Sequence, residues 1–429
     1  MIGTLLTLIV CGSLFILSQA WWRSYLNPVS LGILAWMPAL VMLNWPPYFL
    51  SPIYIYLNRP VSQYIYIAMA MGFLSFWAGC ALVKTLSPTG AFQLSEARRM
   101  DINPVVATGL FSLGLAVFLY SYTSSGLADF ANLDAQQVAE SRLNLHLGLL
   151  SFVTILMDIV AIAMFARFLR TGRWAYLLPP TIAIMCYAAT LQKSPVAWLA
   201  IAYGVVAFLH PRESYRMLLG TLPRRLLVVG FAITLVAGFF AMNQARGLGE
   251  TQMTGASGPA MEQIYIYSGA SAIMNLSVTV DGYLPSEPKL YGAYIGRPIL
   301  WHVVDRDLFK ATRYFGGVNT GTYLLYGWAD FRWLGFVITP LLTGAVVMIF
   351  LRFAFAGSLL GMVFGAIAIR AVAISAATDV IFDPLTPIIL IIAVVACTAM
   401  RLTMPRQAAI QVQRGTLSLQ QRQRRAPYP

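Results

Sequence analysis

The stretch Leu334-Gly-Phe-Val-Ile-Thr-Pro-Leu-Leu-Thr-Gly-Ala-Val-Val-Met-Ile-Phe-Leu351 runs for 18 residues without a formal charge. A helix needs about 20 apolar residues to cross the hydrocarbon core of a bilayer, and this run is near that length. It is not alone. Runs of similar character occupy 2–19, 29–45, 63–83, 104–123, 147–166, 175–191, 195–210, 226–243, 357–378 and 386–400. The composition agrees: of 429 residues 59% are apolar and 10% charged, and the mean hydropathy is +0.70. A soluble domain sits near half apolar and a quarter charged, so this balance excludes an ordinary soluble protein, a disordered chain and a disulfide-framed secreted module. The expectation is an all-α polytopic membrane protein of about 11 transmembrane helices.

Smaller features fit that class. Cys11, Cys80, Cys186 and Cys397 each fall inside an apolar run, far from any CxxC spacing. The runs 175–191 and 195–210 are separated only by Leu191–Ser194 and carry Pro179, Pro180 and Pro195 near their ends, which predicts a helical hairpin. Ser18-Gln19-Ala20 has the look of a cleavage site, but no basic segment precedes the first run, so it is read as a helix. No internal repeat of the kind found in two-halved transporters is visible.

Charge distribution sets the orientation. The net charge of +13 does not point to nucleic acid, because most cations punctuate short loops and six arginines lie in the last 29 residues. With that tail cytoplasmic, one side of the membrane collects 18 basic residues and the other 10, seven of them in one long loop. Long loops count little towards topology, so the N-terminus and the long loop are expected outside and the C-terminus inside. The chain then divides into an eight-helix region (1–243), a long outer loop (244–333) with re-entrant or interfacial helices, a three-helix region (334–401) and a basic tail (402–429). The tail is suited to anionic lipid or to a protein partner.

Chemistry is expected in the outer loop. It carries seven cations and seven anions, so only local pattern is informative. Within it Ile264–Val280 is uncharged and rich in small polar residues, which suits a re-entrant or interfacial helix. His302, Arg306, Lys310 and Arg313 recur at i, i+4, i+8 and i+11, on one face of a helix. Guanidinium forks hold phosphate oxygens in bidentate fashion, so such a stripe suits a diphosphate, and equally an anionic lipid surface. Asp305-Arg306-Asp307 spells a DxD, but its central arginine repels a cation, and no metal site is expected. Inside the runs, Arg370 and Asp158 are expensive in lipid. They either pair with each other or, for Arg370 with Asp379 and Asp383 near the same end, face a ligand; Lys193 sits in the turn of the hairpin. No Walker loop, dinucleotide fingerprint or serine-nucleophile elbow is present, so outer-face chemistry needs a substrate that arrives already activated.

Asn243-Gln-Ala-Arg246-Gly247 opens the loop. Leu290-Tyr-Gly292, Asn319-Thr320 and Tyr326-Gly-Trp-Ala-Asp330-Phe331 follow, and Gly335 begins the next run. Together with the Lys193-Ser-Pro195 turn, this order resembles the Wzy-type oligosaccharide repeat-unit polymerases of bacterial inner membranes over about residues 100–400. One departure is that the family's Asp-Phe-Gly reads Asp330-Phe331-Arg332 here.

The resemblance implies a GT-C-like fold and a multi-pass inner-membrane enzyme with its site facing the periplasm. It implies transfer of a growing glycan from undecaprenyl diphosphate onto the next lipid-linked repeat unit, without a metal or other cofactor. Donor and acceptor lipid-linked oligosaccharides are the implied partners, with a chain-length regulator and a flippase beside them. Arginines would stabilise the diphosphate leaving group and a carboxylate or imidazole would accept the hydroxyl proton. Arg246, Arg297, Arg306, Lys310, Arg313, Arg370, Lys193, Asn319 and Tyr326 are the candidates for substrate binding. Asp330, Asp305, Asp307, Glu262 and His302 are the candidates for the base. An O-antigen ligase acting on lipid A core, a lipid-linked oligosaccharide flippase and an accessory subunit of a polysaccharide machine are the rival readings.

Overall fold

The computed structural model describes residues 2–22, 27–44, 61–88, 102–127, 148–190, 193–209, 268–281, 290–300, 303, 322–376 and 378–402. Over these residues the chain is helical and contains no strand. The helices are α1 (Ile2–Trp22), α2 (Pro28–Leu43), α3 (Gln63–Leu86), α4 (Pro104–Ser124), α5 (Thr154–Thr171), α6 (Leu178–Ala189) and α7 (Lys193–Leu209). After a gap come α8 (Ala270–Val280), the single turn α9 (Arg297–Leu300), α10 (Tyr323–Phe331), α11 (Gly335–Phe355), α12 (Leu359–Ala373) and α13 (Leu385–Leu402). Ten of the eleven expected runs coincide with a helix, and the run 226–243 lies outside the described residues. Five helical stretches are long and apolar enough to cross a membrane: Ile2–Trp22, Gln63–Leu86, Pro104–Ser124, Leu150–Thr171 and Tyr323–Phe355. The others are apolar but shorter. Side chains such as Ile9, Ile16, Leu113, Leu119, Ile391 and Val395 stand exposed on the outside of α1, α4 and α13, a surface that suits lipid and not water.

Without a hydrophobic drive between helices in lipid, close packing and hydrogen bonds must hold the bundle together. Small residues permit the approach. A methyl group on Gly79 of α3 would lie 2.1 Å from the Leu341 carbonyl oxygen of α11, and one on Gly344 would lie 2.3 Å from the Phe76 oxygen. Buried hydroxyls contribute as well: Thr7 donates to the Tyr66 carbonyl at 2.8 Å, and Ser18 and Ser30 lie 3.0 Å apart. The Trp36 indole donates to the Ser375 hydroxyl at 2.8 Å, joining α2 to the segment after α12.

The span expected at 334–351 begins with a departure. The apolar stretch Tyr323–Phe355 is broken at Arg332, whose φ of 57° lies in the left-handed region. The chain doubles back there, bringing Gly327 of α10 against Gly335 of α11 so closely that a Cβ on Gly335 would meet the Gly327 oxygen at 1.8 Å. Leu324 therefore lies against Gly72 of α3, beside Pro340. Tyr323 meets the Trp36 ring edge-on at 6.0 Å. So α10 is a short helix inserted between its neighbours, with its N-terminus deep and its C-terminus at the bundle end. Helix α8 is likewise short, about 16 Å by its 11 residues, and buried from Ala270 to Val278. It coincides with the uncharged part of the outer loop from which a re-entrant or interfacial helix was expected.

The two ends of the bundle differ. Lys84, Arg170, Arg352 and Arg401 lie in the last turns of α3, α5, α11 and α13, with Arg167 just before the last turn of α5. These turns share one end. Gly72 lies beside Pro340 and the Cys80 thiol donates to the Gly344 carbonyl, so α3 and α11 run parallel; Arg167 donates to the Ile102 carbonyl, and Asn103 N–H donates to the Met400 carbonyl. At the opposite end lie α9, the C-terminus of α10 and the connection from α12 to α13.

Candidate functional site

The end opposite the cations is organised by Asp330. This residue is fully buried, and each carboxylate oxygen accepts a backbone hydrogen bond. Oδ1 accepts from Tyr294 N–H and Oδ2 from Ile295 N–H, both at 2.9 Å. The backbone of the same helix end adds two more bonds, Leu290 N–H to the Ala329 carbonyl at 3.1 Å and Tyr291 N–H to the Asp330 carbonyl at 3.2 Å. The turn so gripped includes Tyr291 at φ 49° and Gly292 at φ 93°, conformations that cost energy for most residues. Asp330 thus fastens Leu290–Gly296 to α10, joining two segments that stand 35 residues apart in sequence.

The fastened turn holds a buried aromatic pair beside a half-buried cation. Tyr294 stacks on Tyr326 of α10 with ring centroids 4.8 Å apart and planes 15° apart. Arg297, one turn further on, lies 5.6 Å from the Tyr294 ring and 5.9 Å from the Tyr326 ring. Cation–π contact is one of the interactions that hold the guanidinium in place.

Near Arg297 lies the connection between α12 and α13. Asp379 is buried at 7% exposure; its Oδ1 accepts from Phe382 N–H at 3.2 Å, while Oδ2 is buried with no hydrogen-bond partner. Burial is the main cause that pushes the Asp379 carboxyl up to about 7, and the nearby Asp383 charge adds to it. Backbone hydrogen bonds from Phe382 and Ile381 and the positive charge of Arg297 act in the other direction. Asp383 accepts from Leu385 N–H at 2.8 Å and lies in the field of Arg370. Arg370, in the last turn of α12, sits 5.1 Å from the Trp198 ring of α7. On its far side it feels Asp158 of α5, which Tyr187 of α6 hydrogen-bonds. Arg370 therefore lies in the electrostatic field of both Asp158 and Asp383.

Four of the expected site residues, Arg297, Tyr326, Asp330 and Arg370, fall at this end. Arg297, Tyr326 and Asp330 come into one cluster, and Arg370 connects to it through Asp383 and Asp379. Lys193 begins α7, and its side chain is outside the description. Arg246, Glu262, His302, Asp305, Arg306, Asp307, Lys310, Arg313 and Asn319 lie outside the described residues, and with them the cationic stripe and the DxD. Three participants were not singled out from sequence. Tyr294 was one loop aromatic among many, Trp198 sat inside an apolar run, and Asp379 stood only as a neighbour of Arg370. A carboxylate just beyond the end of a span, followed by a second one four residues later, was the available signal. Among the described residues no three His, Cys, Asp or Glu side chains gather as metal ligands.

No family model matches the chain, and neither a curated protein nor a solved structure is significantly similar to it.

Proposed function

We propose that this chain is an inner-membrane glycosyltransferase of the Wzy type. In this reading it polymerises undecaprenyl-diphosphate-linked oligosaccharide repeat units on the periplasmic face, within an eleven-span, GT-C-like fold. The observation that carries the reading is the grouping of Arg297 with Tyr294, Tyr326 and Asp379, linked through Asp383 to Arg370, at the bundle end away from the basic helix termini. Two guanidiniums on rigid helix turns supply the charge that a departing diphosphate needs. Carboxylates within the same cluster supply the proton acceptor that a sugar hydroxyl needs to become a nucleophile.

Chemically, the acceptor hydroxyl oxygen attacks the anomeric carbon of the donor glycan. The bond from that carbon to the phosphate oxygen breaks, the electron pair leaves on the diphosphate, and the hydroxyl proton passes to a carboxylate. Arg297 and Arg370 act on the leaving group, and Asp330 keeps Arg297 in place through the 290–296 turn. The energy comes from the diphosphate ester itself, which fits the lack of a nucleotide-binding motif in the sequence.

Deleting the gene tests the reading and separates it from its rivals. A polymerase mutant should carry surface glycan of one repeat unit. A ligase mutant would hold full-length polymer on the carrier lipid, and a flippase mutant would retain lipid-linked units on the cytoplasmic face. Normal polymer in the deletion strain would overturn all three.

A further inference from the structure

The acidic side chains described differ sharply in how their oxygens are used. Both oxygens of Asp330 accept backbone N–H groups. Asp383 accepts from Leu385 N–H, and Asp281 accepts from the Ser277 hydroxyl. Asp158 also has one buried oxygen without a partner, Oδ1, but it lies mid-helix in α5 and is hydrogen-bonded by Tyr187. Asp379 alone of these stands on a connection at the Arg297 end with a whole carboxylate oxygen, Oδ2, buried and without a donor. A buried acceptor left unmade costs about 1–3 kcal/mol, a cost that a donor group from a ligand removes. Groups with charge or protons to exchange surround it: Arg297 from α9, Tyr323 from the start of α10, and Asp383 on its own connection.

We propose that Asp379 is the general base of the transfer, receiving on Oδ2 the proton of the acceptor sugar's hydroxyl as that oxygen bonds to the anomeric carbon of the donor. The assignment rests on the polymerase reading above. Its missing donor is the acceptor hydroxyl: the hydroxyl completes the hydrogen bond in the ground state and passes its proton along it in the transition state. The diphosphate leaves with the electron pair of the broken carbon–oxygen bond, facing Arg297, and Asp379 later returns the proton to water. A carboxyl pushed up to about 7 is also well matched to a base that must collect and release a proton near neutral pH.

The experiment uses full-length protein in liposomes with a lipid-diphosphate-linked repeat unit, comparing wild type, Asp379→Asn and Asp330→Asn. Asparagine is isosteric with the protonated carboxyl, so Asp379→Asn should fold as wild type does. The expected result is a loss of kcat of roughly 10²–10⁴-fold in Asp379→Asn, the usual contribution of a general base, with the KM for donor little changed. Wild-type kcat should fall on the acid side of about pH 7, and Asp379→Asn should lack that limb. Asp379→Asn within tenfold of wild type, or a wild-type profile flat from pH 5 to 8, would overturn the assignment. If Asp379→Asn does not fold, the wild-type profile alone decides. No ladder from wild type would instead count against the polymerase reading and is distinct from either result.

Discussion

Replacing Asp330 separates a fastening role from a catalytic one. The side chain is fully buried and receives two backbone N–H groups at 2.9 Å each. Asp330→Ala leaves both N–H groups in a dry site, at about 1–3 kcal/mol apiece. Some of this is recovered by water entering the gap, so the local loss is about 3 kcal/mol. Asp330→Asn keeps one accepting oxygen and turns an amino group towards the other N–H, so its loss should be smaller. Because the 290–296 turn is also tied by Leu290 and Tyr291 to the end of α10, the bundle should stay folded while the turn opens. Amide hydrogen exchange in detergent reads this directly. Protection of the Tyr294 and Ile295 amides should fall roughly hundredfold in Asp330→Ala, since 1.4 kcal/mol corresponds to tenfold, while α3 and α11 keep theirs. Activity should fall with it, through loss of Arg297 from its place. Protection within twofold of wild type would refute the fastening role. Inactive Asp330→Asn with full protection would return Asp330 to the list of candidate bases.

Other expectations concern packing, backbone and pH. Gly79→Leu should prevent α3 and α11 from approaching and lower the thermal midpoint strongly in detergent, because even a methyl group would lie 2.1 Å from the Leu341 oxygen. An unchanged midpoint would contradict the contact. Arg332→Gly should stabilise by about 1 kcal/mol, since glycine adopts φ 57° freely, offset in part by loss of the Arg332–Trp328 contact at 5.5 Å; a chemical-denaturation midpoint measures the balance. For Asp379, the folded state holds the proton up to about pH 7 and the unfolded chain releases it near 4. The folded state therefore binds more protons in between, and stability should fall by up to about 1.4 kcal/mol per unit as pH rises through that window. Above pH 7 the dependence should flatten, and Asp379→Asn should abolish it, as SDS titrations at pH 5 and 7.5 would show.

The helices were largely legible because length and apolarity act locally: each run from 2–19 to 386–400 that lies within the described residues became a helix. What escaped was decided at a distance. The break at Arg332 is a single residue forced into a conformation that glycine prefers, and nothing in an apolar stretch announces it. Asp330 stood out in the sequence as a candidate base. Its use as a fastening point depends on Tyr294 and Ile295, some 35 residues upstream, and no local pattern encodes that pairing. Asp379 was legible only as a charge near a span end, because its significance lies in an oxygen that no neighbour satisfies.

The most direct measurement is reconstitution of purified protein in liposomes with a lipid-diphosphate-linked repeat unit, with and without EDTA, followed by separation of the products by length. The account predicts a ladder of polymer in both samples, and its loss on replacing Arg297 with alanine. A protein that yields no ladder but moves the lipid-linked sugar across the bilayer would contradict it.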